Sequence, residues 1–146
     1  MEQAFIIRAT IMEQVGARRY RESGVWREIV VSGDATLFDL AKAILASVHF
    51  DTDHLFMFTD TTDFWGETSK VRYEFNPSIQ FPKKGPPLRR IFTRKGEKLF
   101  MLFDYGDEWV FKVKLVGFET LEKSRRYPYV KNAMGEDPDQ YPKEDK

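Results

Sequence analysis

No cysteine occurs anywhere in the chain. That single absence removes disulfides, thiolate metal sites and cysteine nucleophiles together, and it fits the reducing cytoplasm where the protein is expected to reside. Histidine is nearly as scarce. His49 and His54 are the only two, so any two-histidine site must use both. Net charge is absent too: 23 basic residues balance 23 acidic ones, which argues against coating nucleic acid by bulk charge. No apolar run approaches the ~20 residues needed to cross a bilayer, so no membrane partner is expected. The opening Met1-Glu2-Gln3-Ala4-Phe5 has neither a basic n-region nor a long apolar h-region, and reads as no signal peptide. There is no glycine-rich phosphate loop, no nucleophile elbow, no HExxH pattern, and no serine in a recognisable Ser-His-acid arrangement. Together these absences lean away from an enzyme.

What the chain does have is core material. Of its 146 residues 42 % are hydrophobic and 15 % aromatic, with 13 Phe, far from the composition of a disordered chain. A chain of this length buries roughly 70 % of its unfolded surface and folds without staples. Residues 1–125 are expected to form one domain, and 126–146 a polar tail packed on it or partly disordered.

Periodicity predicts the elements. From Ala4 to Glu13, Phe5, Ile7, Ala9 and Ile11 share one face by period two, with Arg8 and Thr10 on the other. A charged connector leads to a second strand, Val25 to Val31, suggesting an antiparallel hairpin. Thr36 with Asp39 three residues on is a capping-box variant. The stripe Leu37, Leu40, Ile44 and Val48 then predicts a helix ending near Val48. His54 to Thr59 reads as a buried strand. Asp60 to Pro87 is irregular, with a short strand at Val71 to Phe75, and Leu88 to Phe92 is a helical turn. Lys98 to Phe103 and Glu108 to Val116 are strands joined by Asp104-Tyr105-Gly106-Asp107, a hairpin signal. The order β-β-α-β…β-β predicts an α+β fold, a mixed or antiparallel sheet packed by one main helix, β-grasp-like or an α/β roll.

Three motifs in register carry a resemblance: Val25-Trp26-Arg27-Glu28-Ile29; Thr36-Leu37-Phe38-Asp39-Leu40 followed by Asp53-His54-Leu55; and Phe103-Asp104-Tyr105-Gly106-Asp107-Glu108-Trp109. In these the chain resembles the Ri-plasmid ORF-3-like family over most of its length. Where many members carry a second His two residues beyond the one matching His54, this sequence has Phe56. Where many end in a Pro- and Gly-rich segment with Cys, it has Tyr141-Pro142. The resemblance implies a shared fold, no established activity, and the company of mobile elements.

Four groups of residues are candidate sites. Asp104, Asp107 and Glu108 put three carboxylates within one turn, and hard cations such as Mg²⁺ prefer carboxylate oxygens; His54 would complete such a site. The same residues also read as a plain hairpin, with Gly106 taking positive φ, Asp104 capping its own turn, and Trp109 anchoring the core. Trp26 and Arg27, and likewise Tyr105 and Trp109, are candidate contact residues, the first pair also reading as sheet core with an arginine lying along it. Lys83, Lys84, Arg89, Arg90, Arg94 and Lys95 form a candidate phosphate-backbone patch, with Glu97 the one acid from Lys83 to Lys98. No cofactor is evident beyond a divalent cation at the acidic turn. The expected function is a non-catalytic module binding protein or nucleic acid; the alternative is a metal-dependent hydrolase or nuclease using residues 104–108.

Overall fold

The computed structural model describes residues 3–142. The readings of Met1-Glu2 and of the tail's last residues, 143–146, lie outside them. Seven strands form one antiparallel sheet: β1 (Gln3–Gly16), β2 (Arg19–Ser32), β3 (Phe56–Thr59), β4 (Arg72–Phe75), β5 (Lys98–Phe103), β6 (Trp109–Thr120) and β7 (Tyr129–Met134). They lie in the order β4-β3-β5-β6-β1-β2-β7. Two helices complete the fold, α1 (Leu37–Ser47) and α2 (Leu88–Ile91).

The predicted fold class is therefore corrected. The protein is mostly a seven-stranded antiparallel sheet with 11 % helix in two short helices, not an α+β fold packed by one main helix. The reason is size. Seven strands at ~4.8 Å spacing make a sheet about 29 Å wide, whereas the 11 residues of α1 span about 16 Å. Two segments without apolar alternation also prove to be strand. The charged connector 16–24 lies largely in the β1–β2 hairpin, where Met12 faces Glu22 and Glu13 faces Arg21. Its members are held by the backbone ladder and by the pair Arg21–Glu13 at 3.0 Å. The tail supplies β7, which pairs with β2 although five of its six residues are exposed.

Alternation places the main core on one face. Phe5, Ile7, Ala9 and Ile11 of β1, Phe56 and Phe58 of β3, Met101 and Phe103 of β5, and Phe111, Val113 and Leu115 of β6 are all buried there. Leu37, Phe38, Leu40, Ala41, Ile44 and Leu45 of α1 close over them. The helix begins where expected: Thr36 Oγ1 accepts from Asp39 N–H at 3.2 Å and Asp39 Oδ2 from Thr36 N–H at 3.1 Å. Two further free N–H groups at this end, Leu37 and Phe38, donate to the carbonyls of Pro86 and Lys84. The irregular segment thus fastens onto the start of α1. On the opposite face Met57, Leu102 and Val110 form a smaller core, capped by Phe64 from the loop after β3.

Phe58→Ala, a deletion at a fully buried position, is expected to cost about 3–5 kcal/mol in urea unfolding. Thr36→Ala, which leaves Asp39 N–H without its cap, should cost about 1 kcal/mol.

Candidate functional site

The β5–β6 turn is built on two left-handed residues, and neither is glycine. Asp104 has φ 65° and Glu108 φ 56°, while Gly106 is not in that region. The predicted role of Gly106 is thus filled by Asp104, whose side chain offsets the unfavourable backbone. Asp104 Oδ1 accepts from the N–H groups of Gly106 at 3.1 Å and Asp107 at 3.3 Å. Glu108 N–H closes the turn onto Asp104 O at 2.6 Å, and Asp104 N–H donates to Leu55 O at 3.0 Å.

That last bond brings the segment before β3 alongside. His54 Nε2 stands 3.5 Å from Asp104 Oδ2, and His54 Nδ1 is 2.8 Å from Asp53 Oδ1. Both ring nitrogens therefore face carboxylates. The Tyr141 hydroxyl donates to Asp53 Oδ2. Gln140, buried, donates to Asp53 Oδ1 at 3.1 Å and to Asp51 O at 3.2 Å, and accepts from Asp51 N–H at 2.8 Å. Burial pushes the Asp53 carboxyl up, but the hydrogen bonds from Tyr141 and His54, with the latter's charge, outweigh it and hold the group low. The Tyr141 phenol is pushed up to about 12, first by its bond to Asp53 and then by burial and the surrounding carboxylates.

Of the predicted acidic site, the structure brings together His54 and Asp104. Asp107 and Glu108 are exposed and line a groove of about 500 Å³ with Met12, Trp109, Gln140, Tyr141 and Pro142. Among the described residues, no three or more His, Asp or Glu side chains are grouped so as to hold a metal ion. Trp109 is half-buried, its ring 4.8 Å from that of Phe50 and edge-on to it. Its Nε1–H is sealed from solvent without an acceptor. Tyr105 belongs to the smaller core and meets the exposed ring of Trp65 at 4.8 Å. Burial, then the charge of Glu74, pushes its hydroxyl up to about 12.

Trp26 and Arg27 are not a pair, because neighbours on a strand point to opposite faces. Trp26 lies under the Arg8 guanidinium, 4.3 Å from the ring centroid. Arg27 is buried on the α1 side, donating to Ser47 O at 3.2 Å, Trp26 O and Met134 O at 2.9 Å, and Asp137 Oδ1 at 2.5 Å. The other Asp137 oxygen meets His49 Nδ1 at 2.5 Å. Lys83, Lys84, Arg89, Arg90, Arg94 and Lys95 are exposed, and Arg89 is bonded to Asp34 at 2.8 Å. These cations lie toward the start of α1 and of β5, away from the acidic turn at the end of β5.

Sequence reasoning missed Asp53, Gln140 and Tyr141 as members of the acidic cluster. Nothing in their spacing announces it, since they meet only because residues 135–142 return to the end of α1. The lone signal was the Tyr141-Pro142 pair in an otherwise polar stretch.

The Arg27 hydrogen bond holds Asp137 below the ordinary carboxylate value of 3.8, against an opposing effect of burial. A carboxyl depressed in the fold stabilises it above its unfolded pKa and loses that contribution as pH falls through the folded one. The stability gap between wild type and Asp137→Asn, read by urea unfolding, should be full at neutral pH and shrink below about pH 4.

Comparison with curated proteins gives no match. Among solved structures, the chain is similar to a protein of unknown function from Methanosarcina mazei Go1, with 23 % identity and a TM-score of 0.63, over 91 % of this chain and 70 % of that one. This likeness shows the fold. No helix among the described residues is long and apolar enough to cross a membrane. A family model described as plasmid pRiA4b ORF-3-like protein matches residues 19–145.

Proposed function

The chain belongs to the plasmid pRiA4b ORF-3-like family, and from that premise we propose that it is a non-catalytic protein-binding module whose acidic end receives a basic segment of a partner. One observation carries this: Asp51, Asp53, Asp104, Asp107 and Glu108 gather around one end of the sheet, beside a groove of about 500 Å³ whose described lining holds no basic side chain.

The segregated cations do not cancel this field. They stand about one β5 length away, roughly 20 Å for six residues, against a screening length of about 8 Å at physiological ionic strength. A polycation at the groove therefore feels carboxylates, and a polyanion is repelled. The nucleic-acid version of a binding module has weaker support, since Trp26 and Arg27 diverge and Arg89 is engaged by Asp34. The metal-dependent hydrolase has weaker support again, since Asp104 is committed to its own turn and to His54, and no three ligating side chains are grouped among the described residues.

Fluorescence anisotropy with a labelled arginine-rich peptide and a labelled single-stranded oligonucleotide tests the choice. The peptide should bind, more weakly as salt rises, and the double variant Asp107→Asn/Glu108→Gln should weaken it about tenfold. Oligonucleotide binding that this double variant leaves intact, with no peptide binding, would transfer the function to the basic end.

A further inference from the structure

A sheet that does not close has two open edges, and here they are protected unequally. β4 is four residues long and carries Arg72 and Glu74; shortness and charge are how an edge is kept from pairing with another chain. β7 has six residues, no proline and one charge, Lys131. That ammonium is drawn back onto its own sheet by Glu119. Val130 and Met134 stand 48 % and 55 % exposed. Nothing among the described residues pairs with the outer side of β7.

The pattern of this strand reads alike in both directions. Tyr129 and Val130 are apolar, Lys131 and Asn132 polar, Ala133 and Met134 apolar. The faces follow the same symmetry. Val130 and Ala133 lie beside Ile29 and Arg27, on the α1 side. On the other face Tyr129 and Lys131 bond Glu119, Asn132 bonds Glu28, and Met134 lies beside Trp26. Lys131 and Asn132 share that face because Lys131 is the extra residue of a bulge against β2. A twofold axis between these two residues sets like face against like face, and the bulge of one copy meets the bulge of the other.

The flanks choose the direction. Arg125 and Arg126 precede β7, while Glu136, Asp137 and Asp139 follow it, all exposed. Antiparallel pairing of two copies brings the basic flank of each beside the acidic flank of the other. Parallel pairing would oppose like charges.

We infer that the outer edge of β7 is a self-association surface, and that its occupant is β7 of a second copy of this chain, joined antiparallel about that axis into one continuous sheet. Val130 then faces Ala133 of the partner subunit, and Tyr129 faces Met134 of the partner subunit. The pairing consumes both β7 edges, so association stops at two. It uses none of the groove carboxylates and goes beyond the acidic-end reading.

Sedimentation equilibrium of the full chain tests this. One six-residue ladder is smaller than a standard interface, so half-association is expected at on the order of 100 μM, and at higher concentration as salt rises. Val130→Glu/Ala133→Glu sets like charges directly opposite at both symmetry-related places and should weaken association about tenfold. Val130→Lys/Ala133→Glu sets opposite charges there and should restore it. Both positions are exposed, and a ¹⁵N–¹H spectrum at low concentration checks that each variant folds. In the wild type, the amide signals of residues 129–134 should shift with concentration while those of β4 stay still. A wild-type chain that remains monomeric at roughly 1 mM, ten times the expected constant, overturns the inference. So does a charge-swapped variant that associates no better than the doubly acidic one, or a dimer that forms without shifting the β7 amides.

Discussion

A guanidinium buried within β2 has to be satisfied, and the acidic end takes its shape from how that is done. Arg27 cannot shed its charge, so it must be fully bonded or it would destabilise the sheet by several kcal/mol. Its four partners come from three places: the end of α1, the strand it sits on, and the returning segment at Met134 and Asp137. One side chain thereby fixes where β7 ends and sends residues 137–142 across the end of the helix. There Gln140 and Tyr141 reach Asp53, and the groove acquires its second wall. On the sheet's other face Glu28 does related work, accepting from Arg8 at 2.6 Å and from Asn132 at 2.9 Å. A strand with almost no apolar burial is thus held by polar side chains of its neighbour.

This explains which parts of the fold could be read from the sequence. The strands β1, β3, β5 and β6 and the helix α1 write their burial as periodicity, and the capping box of Thr36 and Asp39 is local in sequence. The hairpin arm and β7 owe their positions to backbone ladders and charged pairs, which leave no alternation behind. Missing them turned a wide sheet into an expected helix-packed α+β fold. At the site, the proximity of His54 to Asp104 was foreseeable from two motifs. Gln140 and Tyr141 join them through contacts to Asp53 about 90 residues away in the chain, a separation that pattern reasoning on one sequence cannot bridge.

Zero net charge conceals a polar molecule. The cations near the starts of α1 and β5 and the carboxylates near their ends make the two ends chemically distinct surfaces, separated by more than a screening length. The aromatic residues divide likewise. Phe56, Phe58, Phe103 and Phe111 are spent on packing, whereas Trp65, Trp109 and Tyr141 remain at least partly exposed around the acidic turn.

Glu108 sets local stability against surface charge. Its left-handed backbone suits glycine, and a non-glycine residue held there costs about 1–2 kcal/mol. Glycine at this position would relax the turn but strip a carboxylate from the groove with Trp109 and from the neighbouring cleft with Arg18 and Trp65. Position 108 therefore couples the two: glycine there would strengthen the turn only by giving up a negative charge that both surfaces share.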